Sequence, residues 1–264
     1  MGWLLRYPVW LAGMSLLFVV AERIWPRRPA QRLLRRGIWN DLFYLVFNAE
    51  YLGMAIGISS AWLLAKFDLG LARWQIMRGA PLWTQIAVWF FVLDFLQWLI
   101  HNLLHRVPAL WEFHKVHHSI VELDWIGDWR IHWGEIVVYR TLLYVPAAIS
   151  GISGEAMFWV GVVNTFGGHL AHANLNWNAG WWKYVVNTPE MHAWHHNHPE
   201  CGPVNRNFGL TLAVWDWIFG TAWLPDHDPA RLGFEGIERY PSSVPGQWLA
   251  PFAGLLRKEK TPGG

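Results

Sequence analysis

Eight of the 13 histidines in this 264-residue chain fall into three tight groups. His101 and His105 lie in H-N-L-L-H, His114, His117 and His118 in H-K-V-H-H, and His192, His195 and His196 in H-A-W-H-H; His172 stands between the last two groups. Imidazole is a nitrogen ligand of borderline softness, and this many rings suffice for two transition-metal ions with positions left open for oxygen or substrate. On a helix, H-x3-H puts both rings on one face, and H-x2-H-H adds a ring that reaches sideways. The set is too large for one zinc, which takes three or four ligands, and the chain has a single cysteine, Cys201. Soluble di-iron bundles rely on carboxylates instead. All-nitrogen ligation suits ferrous iron that cycles through higher oxidation states with oxygen, although ligand type alone leaves zinc, copper and nickel open.

The elements that must position these rings read as membrane spans. Charged residues make up only 15% of the chain and tryptophans number 22, a composition suited to a bilayer with Trp at its water interface. The formal net charge of +2 gives no case for nucleic-acid binding, and one cysteine excludes a disulfide-stapled secreted fold. No linker divides the chain, which points to one domain.

Residues 8–21 are uncharged and largely apolar, and Glu22 and Arg23 close the stretch. Arg6 ahead of an apolar run is also how a signal peptide begins, but no persuasive small-residue cleavage site follows, so an uncleaved span is expected. Arg23, Arg27, Arg28, Arg32, Arg35 and Arg36 then mark the cytoplasmic side by the positive-inside rule. Residues 42–65 form a second expected span, with Glu50 turned toward the bundle because an acid facing lipid is costly. After a far-side loop from Lys66 to Ala80, Pro81 opens a third segment over 82–100 that returns to the arginine side and delivers His101 and His105.

The apolar stretches 136–150 and 156–168 are each short for a span of about 20 residues. They read as a hairpin that enters and leaves the membrane on one side, or as one long broken helix; the hairpin brings His172 back to the other histidines. The Pro- and Gly-rich tail after Pro225 is expected to be a surface cap with little regular structure, ending in a disordered K-E-K-T-P-G-G. The expected fold is thus all-α: an integral membrane helical bundle of about four membrane-embedded elements under a cytoplasmic histidine-rich metal-binding cap. Its divisions are N-terminal spans and basic loop (1–80), a catalytic region (81–224) and the polar tail (225–264).

Several runs are similar to the motifs of the fatty acid hydroxylase / sterol desaturase superfamily of membrane di-iron oxygenases. They are D-F-L-Q-W-L-I-H-N-L-L-H-R (94–106), L-W-E-F-H-K-V-H-H-S (110–119), R-I-H-W-G-E (130–135), H-A-N (172–174) and T-P-E-M-H-A-W-H-H (188–196). N-F-G (207–209) and W-D-W-I-F-G-T (215–221) resemble the segment that follows the last box. The resemblance covers roughly residues 90–224. Two positions depart from the pattern: Asn102 replaces the arginine that usually follows the first histidine, and Trp133 replaces a proline. Neither removes a ligand.

The resemblance implies two iron ions, O2 as co-substrate, and oxidation of an unactivated C–H bond on a lipid within the bilayer. It further implies an external electron donor of cytochrome, ferredoxin or flavoprotein type. The implied ligands are His101, His105, His114, His117, His118, His172, His192, His195 and His196, with His169 as a tenth and His132 balanced between ligand and supporting roles. Asp94, seven residues before His101, is expected to accept an N–H from a ligand imidazole and fix its tautomer; Glu135 and Asp216 are weaker candidates for that task. His198 and His227 are expected to be non-ligands. Two other readings compete. A membrane acyl desaturase of the other histidine-box superfamily shares the spacing but lacks the H-K-V-H-H-S and R-x-H elements. A metal transporter places its ionisable groups along a path within the spans rather than at one face.

Overall fold

Pro81 and Pro108 bracket the helix on which the structure is organised. In the computed structural model, which describes residues 2–53, 55–56, 58–59, 74–177 and 179–259, the helices are α1 (Gly2–Ile24), α2 (Ile38–Val46), α3 (Leu82–Arg106), α4 (Pro108–His118), α5 (Trp133–Ser150), α6 (Gly154–His172), α7 (Pro189–His195), α8 (Val214–Ile218) and α9 (Val244–Glu259). No β-strand forms among the described residues, only isolated bridges such as Pro26 to Leu175. Pro81 stands in extended conformation just before α3. Pro108 disfavours helical geometry at the residue before it, so Val107 adopts φ −91° and ψ 112° and α3 breaks there. Pro108 then opens α4, where its missing N–H costs nothing. The first two histidine groups therefore sit on consecutive helices joined at a one-residue bend.

Helices α5 and α6 form a hairpin rather than one broken helix. Gly151 ends α5 with φ 72°, and the Ser153 side chain caps α6 by accepting from Ala156 N at 3.2 Å. A side chain at Gly151 would strike Gln75, its Cβ falling 2.8 Å from that residue's Cβ. The tip of the hairpin lies at the start of α3, where Ser153 N donates to Gln85 Oε1 at 2.7 Å. Its open ends lie at the finish of α3, where Glu135 and His172 reach histidines of α4. Trp89, Leu93, Ile100 and Leu104 of α3 pack with Leu143 and Ala147 of α5 and Val160 of α6 in one buried core. Leu11 and Phe18 of α1 join Trp125, Ile126 and Trp129 of the 3₁₀ turn Trp125–Trp129 in a second.

Among the described residues, two helices are long and apolar enough to cross a membrane, Tyr7–Ile24 and Leu82–Arg106. The expected second span is represented by α2 and the π-helical turn Phe47–Leu52. Its remainder beyond residue 59, the side chain of Glu50 and most of the expected far-side loop lie outside the described residues.

Three charges at the end of the first apolar stretch and in the basic run after it have structural tasks. Glu22 is buried and accepts the backbone N–H groups of Trp125 (2.8 Å) and Asn174 (2.9 Å), tying the end of α1 to two loops. Arg27 pairs with Asp228 through Nε at 2.8 Å. Arg35 is buried against Asp124 and Asp41, and Arg130 also pairs with Asp41. These two arginines and two aspartates balance one another in charge, as a buried ionic cluster requires. The tail corrects a further expectation, because α9 is a regular helix. It packs on α4 through Phe252 against Phe113 (centroids 5.5 Å apart), with Gln247 buried. Its apolar residues recur at helical spacing among the prolines and glycines that suggested a loop. Residues 260–264 lie outside the described residues.

Candidate metal centre

Nine imidazoles meet where the ends of α3, α4, α6 and α7 converge. They divide into two groups: His101, His105, His114, His118 and His195, and His117, His172, His192 and His196. Within each group the candidate ligand atoms all lie within 4.8 Å of one another. The bend at Val107 brings α4 back against α3, so His101 Nε2 faces His114 Nε2 and His105 Nε2 faces His118 Nε2, both at 3.1 Å. In the second group, the Nε2 atoms of His117 and His172 are 3.1 Å apart, those of His172 and His192 3.0 Å, and those of His192 and His196 3.2 Å.

The other ring nitrogens show why two of these contacts are not ordinary hydrogen bonds. A neutral imidazole has one N–H. His101 donates its Nδ1–H to Phe208 O (2.8 Å), and His114 donates its own to Glu135 Oε1 (2.9 Å). His117 uses Arg130 O (3.3 Å), His172 uses Gly168 O (2.9 Å), His195 uses Arg206 O (2.8 Å) and His105 uses Asn205 Oδ1 (3.2 Å). Each of these rings then presents a bare lone pair at Nε2. His101 faces His114, and His117 faces His172, lone pair to lone pair at 3.1 Å. Two acceptors that close repel unless a cation lies between them. His195 Nε2 is likewise buried without a hydrogen-bond partner.

The residues present therefore fit a pair of metal ions. The spacing also bears on coordination. With metal–nitrogen bonds of about 2.1 Å, neighbouring ligands are about 3.0 Å apart in an octahedron and about 3.4 Å apart in a tetrahedron. The observed 3.0–3.2 Å fits nitrogens that share one ion in either geometry.

Electrostatics favour the neutral, ligating form. Burial, then the neighbouring imidazoles, hold His117, His118, His192 and His196 well below the ordinary histidine value. Burial lowers His195 to about 3. The two groups differ in access. The four-histidine group is buried, whereas His105, His118 and His195 line a cleft of about 360 Å³ together with Trp111, Lys115 and Asn205.

The loop 205–209 supplies the carbonyls that orient His195 and His101. Asn205 and Asn207 adopt left-handed backbone, at φ 60° and 58°, which asparagine tolerates better than most residues. Asp216 accepts from Phe208 N (2.9 Å) and Gly209 N (2.7 Å) and so holds this loop.

Asp94 departs from expectation. It bonds no imidazole, because its oxygens are taken by Thr211 N (3.2 Å), Leu212 N (3.3 Å) and Trp215 Nε1 (2.8 Å). It braces the segment 211–215 that follows the loop of orienting carbonyls, while Glu135 contacts a ring directly. His132 stands outside both groups: its Nδ1 accepts from Gly134 N at 3.0 Å, capping α5, and its Nε2 donates to Trp248 O at 3.1 Å. His169 is also outside, buried beside Phe18 and Trp125 with Asp128 Oδ2 at 3.4 Å from its Nδ1. It lies three positions before His172, and the Nδ1 atoms of both rings approach the same Asp128 carboxylate. His198 and His227 lie in neither group.

Sequence reading missed Asp128, whose carboxylate also lies 3.7 Å from His172 Nδ1. Gly168 makes room for it, since a Cβ there would fall 2.5 Å from Asp128 Oδ2. No spacing signal marks Asp128 in a short 3₁₀ turn.

Comparison with known proteins agrees with this geometry. A family model described as fatty acid hydroxylase matches residues 86–221, just over half of the chain. The ornithine lipid hydroxylase OlsE of Rhizobium tropici is 29% identical over 250 residues, which cover 90% of this chain and 71% of that protein. The alkylglycerol monooxygenase of Homo sapiens is 26% identical over 149 residues, covering 53% of this chain and 30% of that protein. The very-long-chain aldehyde decarbonylase GL1-5 of Oryza sativa subsp. indica is 22% identical over 229 residues, covering 77% of this chain and 34% of that protein. The chain thus spans only about a third of the length of the last two. No solved structure matches it.

Proposed function

Because the chain belongs to the fatty acid hydroxylase family, we propose that it is a membrane-bound di-iron oxygenase acting on an unactivated C–H bond of a lipid. The observation that carries this reading is the facing of bare Nε2 lone pairs at 3.1 Å in both histidine groups. His101, His105, His114, His118 and His195 hold one iron, and His117, His172, His192 and His196 the other. The irons, when bound, supply the reductive activation of O2 that such an oxidation needs. The protein's part is to fix the rings, keep them neutral and exclude water from the four-histidine side. Glu135 and the carbonyls of Arg130, Gly168, Arg206 and Phe208 perform the first task by holding the Nδ1 protons.

The related hydroxylase and monooxygenase favour hydroxylation over desaturation, and a lipid with a polar headgroup as substrate. In this reading α1 and α3 cross the bilayer, the α5–α6 hairpin is embedded from the histidine side, and the basic segment 23–36 places that side in the cytoplasm. Electrons come from an external donor on the same side. The proposed division is 1–80, 81–224 and 225–264, with the middle part catalytic.

The test pairs lipid analysis of cells with and without the gene with metal analysis of the purified protein. Iron in the protein and a gene-dependent oxidised lipid are expected. Stoichiometric zinc without iron, after expression with adequate iron, overturns the di-iron reading.

A further inference from the structure

Six large side chains stand exposed in one continuous patch beside the metal centre: Trp181, Trp182, Tyr184, Trp217, Ile218 and Phe219. Trp181 is 61% exposed and Ile218 67%. They come from two separate segments, the 3₁₀ turn Gly180–Tyr184 and α8 with its C-cap. Tyr184 packs on Trp217 with centroids 4.8 Å apart, and Trp217 Nε1 donates to Lys183 O at 3.0 Å, so the two segments form one surface. Monomeric soluble proteins rarely leave such a patch uncovered.

Its chemistry and its neighbours indicate what covers it. Phe219 stacks on Trp98 of α3 at 4.6 Å and lies 6.0 Å from Phe95. The patch therefore runs on without a break from the apolar α3, whose outer face also exposes Phe91. It meets α3 in the turns just before His101, at the end where the apolar run gives way to the histidines. Tryptophan and tyrosine, with a lysine among them, are the residues that collect where headgroups meet acyl chains. The opposite side of α8 faces the metal centre. Asp216 is fully buried there and holds Phe208 N, while Phe208 O orients His101.

We propose that this patch is an interfacial anchor, seated at the headgroup–acyl boundary of a lipid bilayer, that sets the depth of the histidine groups relative to the membrane. The proposal rests on the membrane-embedded reading given above. The occupant is a lipid surface, because the patch continues the outer face of a helix long and apolar enough to span. An amphipathic element of this kind buries its apolar face about 5–10 Å into that boundary. Helix α8 would then carry the bilayer position to His101 through Asp216 and the 205–209 loop.

The experiment uses the full chain with Cys201→Ser, reconstituted into vesicles of zwitterionic and anionic phospholipid. Single cysteines replace Ile218, Trp181, Phe91 or Glu200 and carry an environment-sensitive fluorophore. Quenching is read with nitroxides on the lipid headgroup, with nitroxides deep in the acyl chain, and with aqueous iodide. Labels at 218 and 181 are expected to lose emission to the headgroup nitroxide more than to the deep one. The Phe91→Cys label is expected to lose emission to the deep nitroxide, and the Glu200→Cys label to iodide alone. If 91 is quenched from lipid while 218 and 181 respond only to iodide, the anchor is overturned and the membrane reading stands. If 218 and 181 respond to neither lipid nor iodide, a second protein copy covers the patch and the anchor is again overturned. If 91 too responds only to iodide, the membrane reading fails and the anchor with it.

Discussion

Glu135, in the first turn of α5, accepts the Nδ1–H of His114 on α4 across 2.9 Å, with both side chains buried. This bond crosses between helices and leaves His114 Nε2 bare beside His101. Glu135→Gln keeps an oxygen that can accept but removes the negative charge that strengthens the ligand. Losing such a supporting contact typically costs about 10–100-fold in metal affinity or activity. Iron per chain and turnover are expected to fall while the melting temperature holds, and unchanged iron with unchanged turnover would rule out this role.

The two groups predict two different losses. His192→Ala removes one of four donors from the buried group, and His114→Ala one of five from the group beside the cleft. Iron is expected to drop from about two ions per chain to about one for His192→Ala, with activity abolished, and to fall less sharply for His114→Ala. Metal analysis of both variants, purified alike, checks the ranking. Equal and complete loss from either variant would mean a single cooperative site.

Asp94→Asn should act on stability before it acts on metal. Asp94 accepts three N–H groups, and asparagine presents an NH2 to at least one of them. A buried donor left unpaired costs about 1–3 kcal/mol. A lower melting temperature is expected, with normal iron per folded chain. Lost iron at an unchanged melting temperature would contradict the bracing role.

His132→Ala should separate capping from ligation. The ring accepts from Gly134 N and donates to Trp248 O, tying α5 to α9. Removing an N-cap acceptor costs about 0.5–2 kcal/mol. Thermal stability should fall by that order, and iron content should not change; a loss of one iron per chain would show that His132 is a ligand after all.

Acid should destabilise the metal-free protein in a defined window. His117, His118, His192, His195 and His196 are lowered when folded, His195 to about 3. The unfolded chain titrates near the ordinary value of about 6.5, so it binds protons first as pH falls. Stability is therefore full above about pH 6.5 and is lost progressively toward about pH 3. Melting curves of chelator-treated protein between pH 7.5 and 5 check this, and a flat melting temperature would contradict it.

The ligand-bearing helices were legible in the sequence because their signals are local. H-x3-H and H-x2-H-H specify helical faces, Pro81 marks a helix start, and S-G-I-S-G-E marks a break between two apolar stretches. The nine rings of the two groups are among the eleven that spacing and motif singled out, with His132 and His169 left outside. Spacing could not assign each ring to a group. His117 and His118 are neighbours in sequence, yet successive helix positions point about 100° apart, so they serve different groups. Nor could it find what orients the rings. The Phe208 carbonyl at His101 and the Arg35–Asp41–Arg130–Asp124 cluster form only after residues about 90 or more positions apart are brought together, while the Asp128 carboxylate and the Arg206 carbonyl reach His172 and His195 from outside the helices that carry those rings. Asp94 shows the limit most plainly: seven residues before His101 places it on the right face of α3, but backbone N–H groups from residues 211 and 212 reach its oxygens first. Residue type and local period determined which groups could ligate; tertiary packing decided which partners satisfied each buried polar atom, because a buried donor or acceptor bonds to whatever the fold brings within reach.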